Sequence, residues 1–300
     1  MWFGIGVSSA APAAVTTLRE VVRADADGLD LFSVSDHPYY GDRLDAYAVV
    51  GTALGATTRI SGLVNVTNLP SRPAPMLART VTSLSALTGG RIVLGMGAGG
   101  LWDDIARLGG PRRSPGEAVR ALAEAITLIR ALSGGGDRVT FDGEFYQVTD
   151  LAPAEAPTPP IWTGSGAPRS LAVTGRLADG WIPGHAADWL SERFRTSRPL
   201  IDEAATAAGR IPADVATVYN LPGRITPGPL DAVRDGEGRW IGGSPGQWAE
   251  ELTGAVLEHG AGGFVYFPPG GPSGETMRRR WAEEVVPRVR AAVGRSAESH

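Results

Sequence analysis

Apolar runs of strand length alternate along the chain with longer segments in which apolar residues recur every three or four positions. Gly, Pro or Asp separates the two patterns, as a parallel sheet with crossover helices requires. The predicted strands are WFGIGV (2–7), LFSVS (31–35), ISGLVNV (60–66), RIVLGMG (91–97), PIWTG (160–164), GWIPG (180–184), ATVYNLP (216–222) and GFVYFP (263–268). Helical periods lie near 13–27, 45–56, 73–88, 115–132, 168–178, 186–208, 245–259 and 274–293. In SPGQWAEEL, Ser244 is placed to cap, Pro245 to open the helix and Gln247 to complete a capping box. Eight strand-helix pairs over this length fit the α/β class as a (β/α)8 TIM barrel better than an open sheet. DRVTFDGEFYQVTDL (137–151) breaks the rhythm, and its alternation about Asp142-Gly143 predicts a small β-hairpin inserted, over about 134–158, before the fifth strand. No linker, repeat or low-complexity tract divides the chain, so residues 1–300 are expected to form one domain.

In such a barrel, chemistry gathers at the C-terminal ends of the strands. Asp36-His37 ends the second, NVTNLP (65–70) the third, GMGAGGLWDD (95–104) the fourth and TGSGAPRS (163–170) the fifth. Gly95, Gly97 and Gly100 match G-x-G-x-x-G, but that fingerprint belongs on a first strand-turn-helix unit with the helix opening at once. Here a Pro-Arg-Arg-Ser-Pro loop intervenes, so a dinucleotide fold is disfavoured. In TGSGAPRS, Pro168 can open a helix whose free N–H groups, with Ser165 and Arg169, would form a phosphate site; an ordinary Gly-rich turn is the competing reading. GGSPG (242–246) matches a nucleophile elbow in form only, since Ser244 reads as a cap. Trp102 and Trp181 could line a pocket or fill the core.

Composition narrows the chemistry. The chain has no cysteine, which excludes disulfides and thiolate sites, and all 28 of its basic residues are arginine, which excludes lysine-dependent mechanisms. His37, His185, His259 and His300 show no metal-ligand spacing, so no metal is expected. A net charge of -4 with no basic stripe offers nothing to nucleic acid. No run is long enough to span a membrane, and the first residues lack the basic start of a secretory signal, so a cytoplasmic location is expected.

GLDLFSVSDH (28–37), NVTNLPSRPAPMLARTVTSLSALTGGRIVLGMGAGG (65–100) and PPIWTGSGAPRSLAVTGRLADGWIPG (159–184) together resemble the bacterial luciferase-like family of flavin- and deazaflavin-dependent oxidoreductases, over nearly the whole chain. The resemblance implies a TIM barrel, a homodimer, and either deazaflavin (F420), the favoured cofactor, or FMN supplied by a partner reductase. It implies that Gly97, Ala98 and Gly99 face the ring, that Gly164, Ser165, Gly166, Ala167 and Arg169 hold phosphate, and that Asn65-Val66 is a cis peptide beneath the ring. His37 would give or take a proton at the reactive edge, with Asp36 binding cofactor beside it. Tyr39, Tyr40, Asn65, Gly100, Trp102 and Trp181 would line a pocket for a small organic substrate. Family members that oxidise sugar phosphates carry a glutamate where this chain has Gly100, and lysines that it lacks, so that substrate is not expected. Hydride transfer is the favoured activity; FMN-dependent monooxygenation and flavin binding without turnover are the alternatives.

Overall fold

The eight predicted strands close on one another because each carries apolar residues on both faces. The computed structural model describes residues 1–269 and 272–298. Its barrel strands are β1 (Trp2–Gly6), β2 (Leu31–Val34), β3 (Ser61–Asn68), β4 (Ile92–Gly97), β5 (Ile161–Thr163), β6 (Gly180–Trp181), β7 (Ala216–Pro222) and β8 (Ala261–Phe267). All pair in parallel, each with its sequence neighbours, and β8 closes the ring against β1, with Phe3 opposite Phe264.

Alternation along the strands sorts the side chains. Leu31, Leu63, Val93, Trp162, Ile182, Val218 and Val265 fill the barrel interior. Their neighbours Phe32, Val64, Leu94, Ile161, Tyr219, Phe264 and Tyr266 face the surrounding helices. Glycine makes room for the large inner residues: a Cβ at Gly6 would overlap the Phe267 ring.

The helices are α1 (Ala14–Ala26), α2 (Ala46–Gly55), α3 (Ala74–Thr88), α4 (Trp102–Arg107), α5 (Pro115–Ala131), α6 (Pro168–Leu177), α7 (Glu192–Ala207), α8 (Pro245–His259), α9 (Pro272–Arg280) and α10 (Val286–Glu298), the last two joined by a π-helical turn, Trp281–Val285. Ser244 and Gln247 form the expected capping box, and Ser114 with Glu117 forms another. The predicted hairpin is present, with Val139–Asp142 antiparallel to Gln147–Leu151.

Three features depart from the sequence reading. The helix expected from 186 begins at Glu192, because Asp188 accepts from Leu190 N and Ser191 caps at Phe194 N, which makes the preceding residues a turn. A short helix, α4, fills the loop after β4. Between β7 and α8 an excursion doubles back, pairing Arg224–Ile225 with Gly242–Gly243. Two-residue pairings and six-residue helices carry too little periodicity to be read from sequence.

Candidate active site

A cavity of about 450 Å³ opens at the C-terminal ends of β2 to β5, within the range of small-molecule and cofactor sites. Val66 is its floor. The Asn65–Val66 peptide is cis, and the Val66 methyls stand 2.8 Å from where a Cβ at Gly97 would be and 3.2 Å from one at Gly164. A side chain at Gly97 would collide with Val66 and one at Gly164 would press on it, so the glycines leave backbone on either side of a flat apolar step. Ala98, Gly99, Gly100, Leu101 and Trp102 form one wall. Gly99, at φ 113°, fits between Pro70 and the Trp102 ring, where any side chain would collide with both. At Gly100 an added Cβ would meet nothing within 4 Å, so the cavity has open space at that point.

The opposite end is built from the β5–α6 loop. Gly164, Ser165, Gly166, Ala167 and Ser170 line it, and Gly164 N donates to Met96 O of β4 (3.0 Å). Ser165 is 4% exposed, and its hydroxyl has no hydrogen-bond partner. A buried hydroxyl facing a cavity without a partner is costly unless a ligand satisfies it. Beside it, the N-terminus of α6 presents free N–H groups and the positive end of the helix dipole.

His37 stands on the rim after β2. Its Nδ1 is 2.8 Å from the Tyr39 hydroxyl, which leaves Nε2 as the nitrogen open to a bound molecule. Burial raises the Tyr39 pKa, so this hydroxyl stays protonated at neutral pH. The two rings and Tyr40 form an aromatic cluster with centroids 4.7 to 5.9 Å apart.

The other expected site residues are engaged with the protein itself or stand away from the cavity. Asp36 borders the cavity, but both of its oxygens are taken: Asn68 N and Arg72 Nε donate to Oδ2 (3.0 and 2.8 Å) and Arg72 Nη2 to Oδ1 (2.7 Å). These bonds make it a fixed anchor of the β2 loop at the edge of the cavity. Trp181 lines no part of the cavity; fully buried outside the barrel, it donates from Nε1 to Ser165 O (2.9 Å) and so holds the β5 loop from behind. Tyr40 is exposed beyond the cavity, and its hydroxyl points to Asp104. Asn65 lies beneath the cavity, donating to Asn220 Oδ1 (2.9 Å). Arg169 is exposed and turned towards Gly116 at the start of α5. Sequence reasoning missed Arg72, Asn220 and Ser170, each contributed from a distant segment or a later turn. Only the run of glycines signalled the cradle itself.

A larger groove, about 960 Å³, runs between α1 and α9 along the outside of the barrel and includes the Glu20–Arg278 ion pair (2.6 Å). It lies apart from the strand ends and the glycine cradle.

The closed parallel barrel with a glycine-lined mouth defines the class of protein. The model of the luciferase-like monooxygenase family matches residues 3–265, and the chain belongs to that family. Among its relatives, the F420-dependent glucose-6-phosphate dehydrogenase of Microbacterium testaceum is 31% identical over 67% of this chain and 61% of its own length. The enzyme of the same name from Beutenbergia cavernae is 27% identical over 91% of this chain and 93% of its own. In solved structures, the coenzyme F420-dependent tetrahydromethanopterin reductase of Methanopyrus kandleri shares the fold at a TM-score of 0.79, with 18% identity over 96% of this chain and 99% of that one. The FMN complex of a Baeyer–Villiger monooxygenase component from Pseudomonas putida shares it at 0.73, with 16% identity over 96% and 99%.

Proposed function

We propose that the protein is an F420-dependent oxidoreductase that moves a hydride between the deazaflavin and a small, uncharged organic molecule. The observation that carries this reading is the cavity itself: a bare step at Val66 between Gly97 and Gly164, an unsatisfied Ser165 hydroxyl at one end and an open imidazole nitrogen at the other. The F420-dependent relatives support the choice of cofactor. When bound, the deazaflavin supplies the hydride chemistry.

The chain's own residues supply the rest. Gly97 and Gly164 let a planar ring lie against backbone, and Ala98, Leu101 and Trp102 keep water from its edge. Ser165 Oγ and the N–H groups opening α6 bind the phosphate of the cofactor side chain. His37 Nε2 holds the proton that leaves the substrate oxygen on oxidation, or delivers it on reduction. At the His37 end no arginine or glutamate is among the residues lining the cavity, and Gly100 leaves empty the place of the family's glutamate, so a sugar phosphate finds no matching charge beside the imidazole. Homodimeric assembly and a cytoplasmic location belong to the same reading.

The test is to mix the purified protein with F420 and a panel of primary and secondary alcohols, with glucose 6-phosphate alongside, and to follow loss of deazaflavin absorbance. The reverse assay supplies reduced F420 with the matching carbonyl compounds. Turnover with an uncharged substrate and none with the sugar phosphate is expected. Turnover with the sugar phosphate alone would overturn the substrate assignment, and oxygen-dependent turnover with reduced FMN alone would overturn the cofactor. With the best substrate, His37→Ala should lower kcat by roughly 10²- to 10⁴-fold while the F420 Kd changes little. A similar fall in both would make His37 a binding residue instead.

A further inference from the structure

The arginine closest in sequence to the β5–α6 loop, Arg169, turns away from it, and a guanidinium from another element takes its place. Arg193 is the second residue of α7. Its guanidinium rests on Gly166, where a Cβ would overlap it, and its Nη1 lies 3.6 Å from where a Cβ at Gly184 would stand. The bare backbone at Gly166 thus makes room for the guanidinium, and Gly184 lies at ordinary contact distance from it. Among the described residues its guanidinium has no hydrogen-bond or ion-pair partner. An arginine laid on backbone with no carboxylate beside it has its donors free for an incoming anion.

We propose that Arg193 is an anion ligand of the candidate active site: with the buried Ser165 hydroxyl and the N-terminus of α6 it binds the phosphate of a cofactor side chain. The inference rests on the phosphate reading of the β5–α6 loop but adds a ligand from a third element, supplied by the turn that delays α7. Ser165 supplies a neutral donor and the helix end a partial charge, whereas Arg193 brings the full positive charge that a phosphate needs. The planar fork can give two parallel N–H bonds to one phosphate, a geometry a lysine lacks.

The experiment measures fluorescence Kd values of wild type, Arg193→Gln and Arg193→Lys for two pairs of compounds: F420 and its deazaflavin chromophore without the phosphate tail, and FMN and riboflavin. Arg193 is exposed and unpaired, so both variants should fold as the wild type does. The expected result is a roughly 10- to 100-fold loss for Arg193→Gln on the phosphorylated member of whichever pair binds, with no change on the unphosphorylated member. Arg193→Lys should fall between the two. Equal weakening of both members, or no weakening of either, would overturn the proposal. If the wild type binds neither pair, the cofactor reading fails, and inorganic phosphate decides the anion site separately. A rise in Tm with phosphate in the wild type that Arg193→Gln lacks supports the site; an equal rise, or none, overturns it.

Discussion

Arg72 holds two carboxylates at once, Asp36 and Asp45, each 2.7 Å from Nη2, and its guanidinium lies 4.9 Å over the Tyr47 ring. Burial works against its charge, but the bonds to Asp36 and Asp45 outweigh it, and its pKa is held above the ordinary value. This side chain ties the loop that presents His37 to α2, and the Asn68 N–H adds a direct bond from β3. Removing Arg72 strands the Asp36 carboxylate, whose side chain is 1% exposed. Arg72→Ala should therefore destabilise the protein by about 3 kcal/mol, measured by urea unfolding; a loss under about 1 kcal/mol would show that Asp36 is not held as described. The sequence reading gave His37 the proton and Asp36 a bond to the cofactor; in the structure the two divide as an imidazole on the rim and a carboxylate that holds Arg72. That division depends on Arg72, 36 residues away, and no local pattern announces a long-range ion pair. Ser165 was legible because glycine and proline surround it, whereas Trp181 read as a pocket residue because only burial shows which face of its strand it occupies.

At the scale of elements, Val66 of β3, Gly97 of β4 and Gly164 just after β5 must fit together. Gly97→Ala sets a methyl 2.8 Å from a Val66 methyl, so one of the two must move into the cavity. The expected outcome is a fold retained by circular dichroism with cofactor affinity lowered at least tenfold; unchanged affinity would mean that the ring does not lie there. Elsewhere α1 is locked to the β3 entrance by Asp25, whose carboxylate accepts from the backbone N–H groups of Thr58, Arg59 and Ile60. Burial raises its pKa, but these three bonds and the Thr58 hydroxyl outweigh that and hold it below the usual carboxylate value. Because the folded-state value is the lower one, this stabilisation is fully present above the unfolded value near ~3.9 and is lost as pH falls through the folded value. Asp25→Ala should cost about 2 to 3 kcal/mol at pH 7, and unfolding melts should show the difference from wild type shrinking below pH 4. The eight strands and most helices were legible because their periods repeat over many residues. The excursion between β7 and α8 was not, since its pairing is two residues long and held by tertiary contacts.

For the whole molecule, the barrel brings into one mouth four loops that lie far apart in sequence, and it buries a hydroxyl there without a partner. Such a site is completed by its ligand, so cofactor binding should stabilise the fold: at a free concentration 100 times Kd the gain is about 2.7 kcal/mol, read as a rise in Tm. The barrel and its active face could be read from strand count and strand ends, while the identity of the ligand rests on which atoms the closed fold leaves unsatisfied. The most direct measurement is equilibrium binding of the purified, cofactor-free protein to F420 and to FMN, followed by fluorescence. Saturable binding of F420 that is tighter than that of FMN, and weakened by Ser165→Ala, is the predicted result. Binding of neither compound, or F420 affinity indifferent to Ser165, would contradict the account.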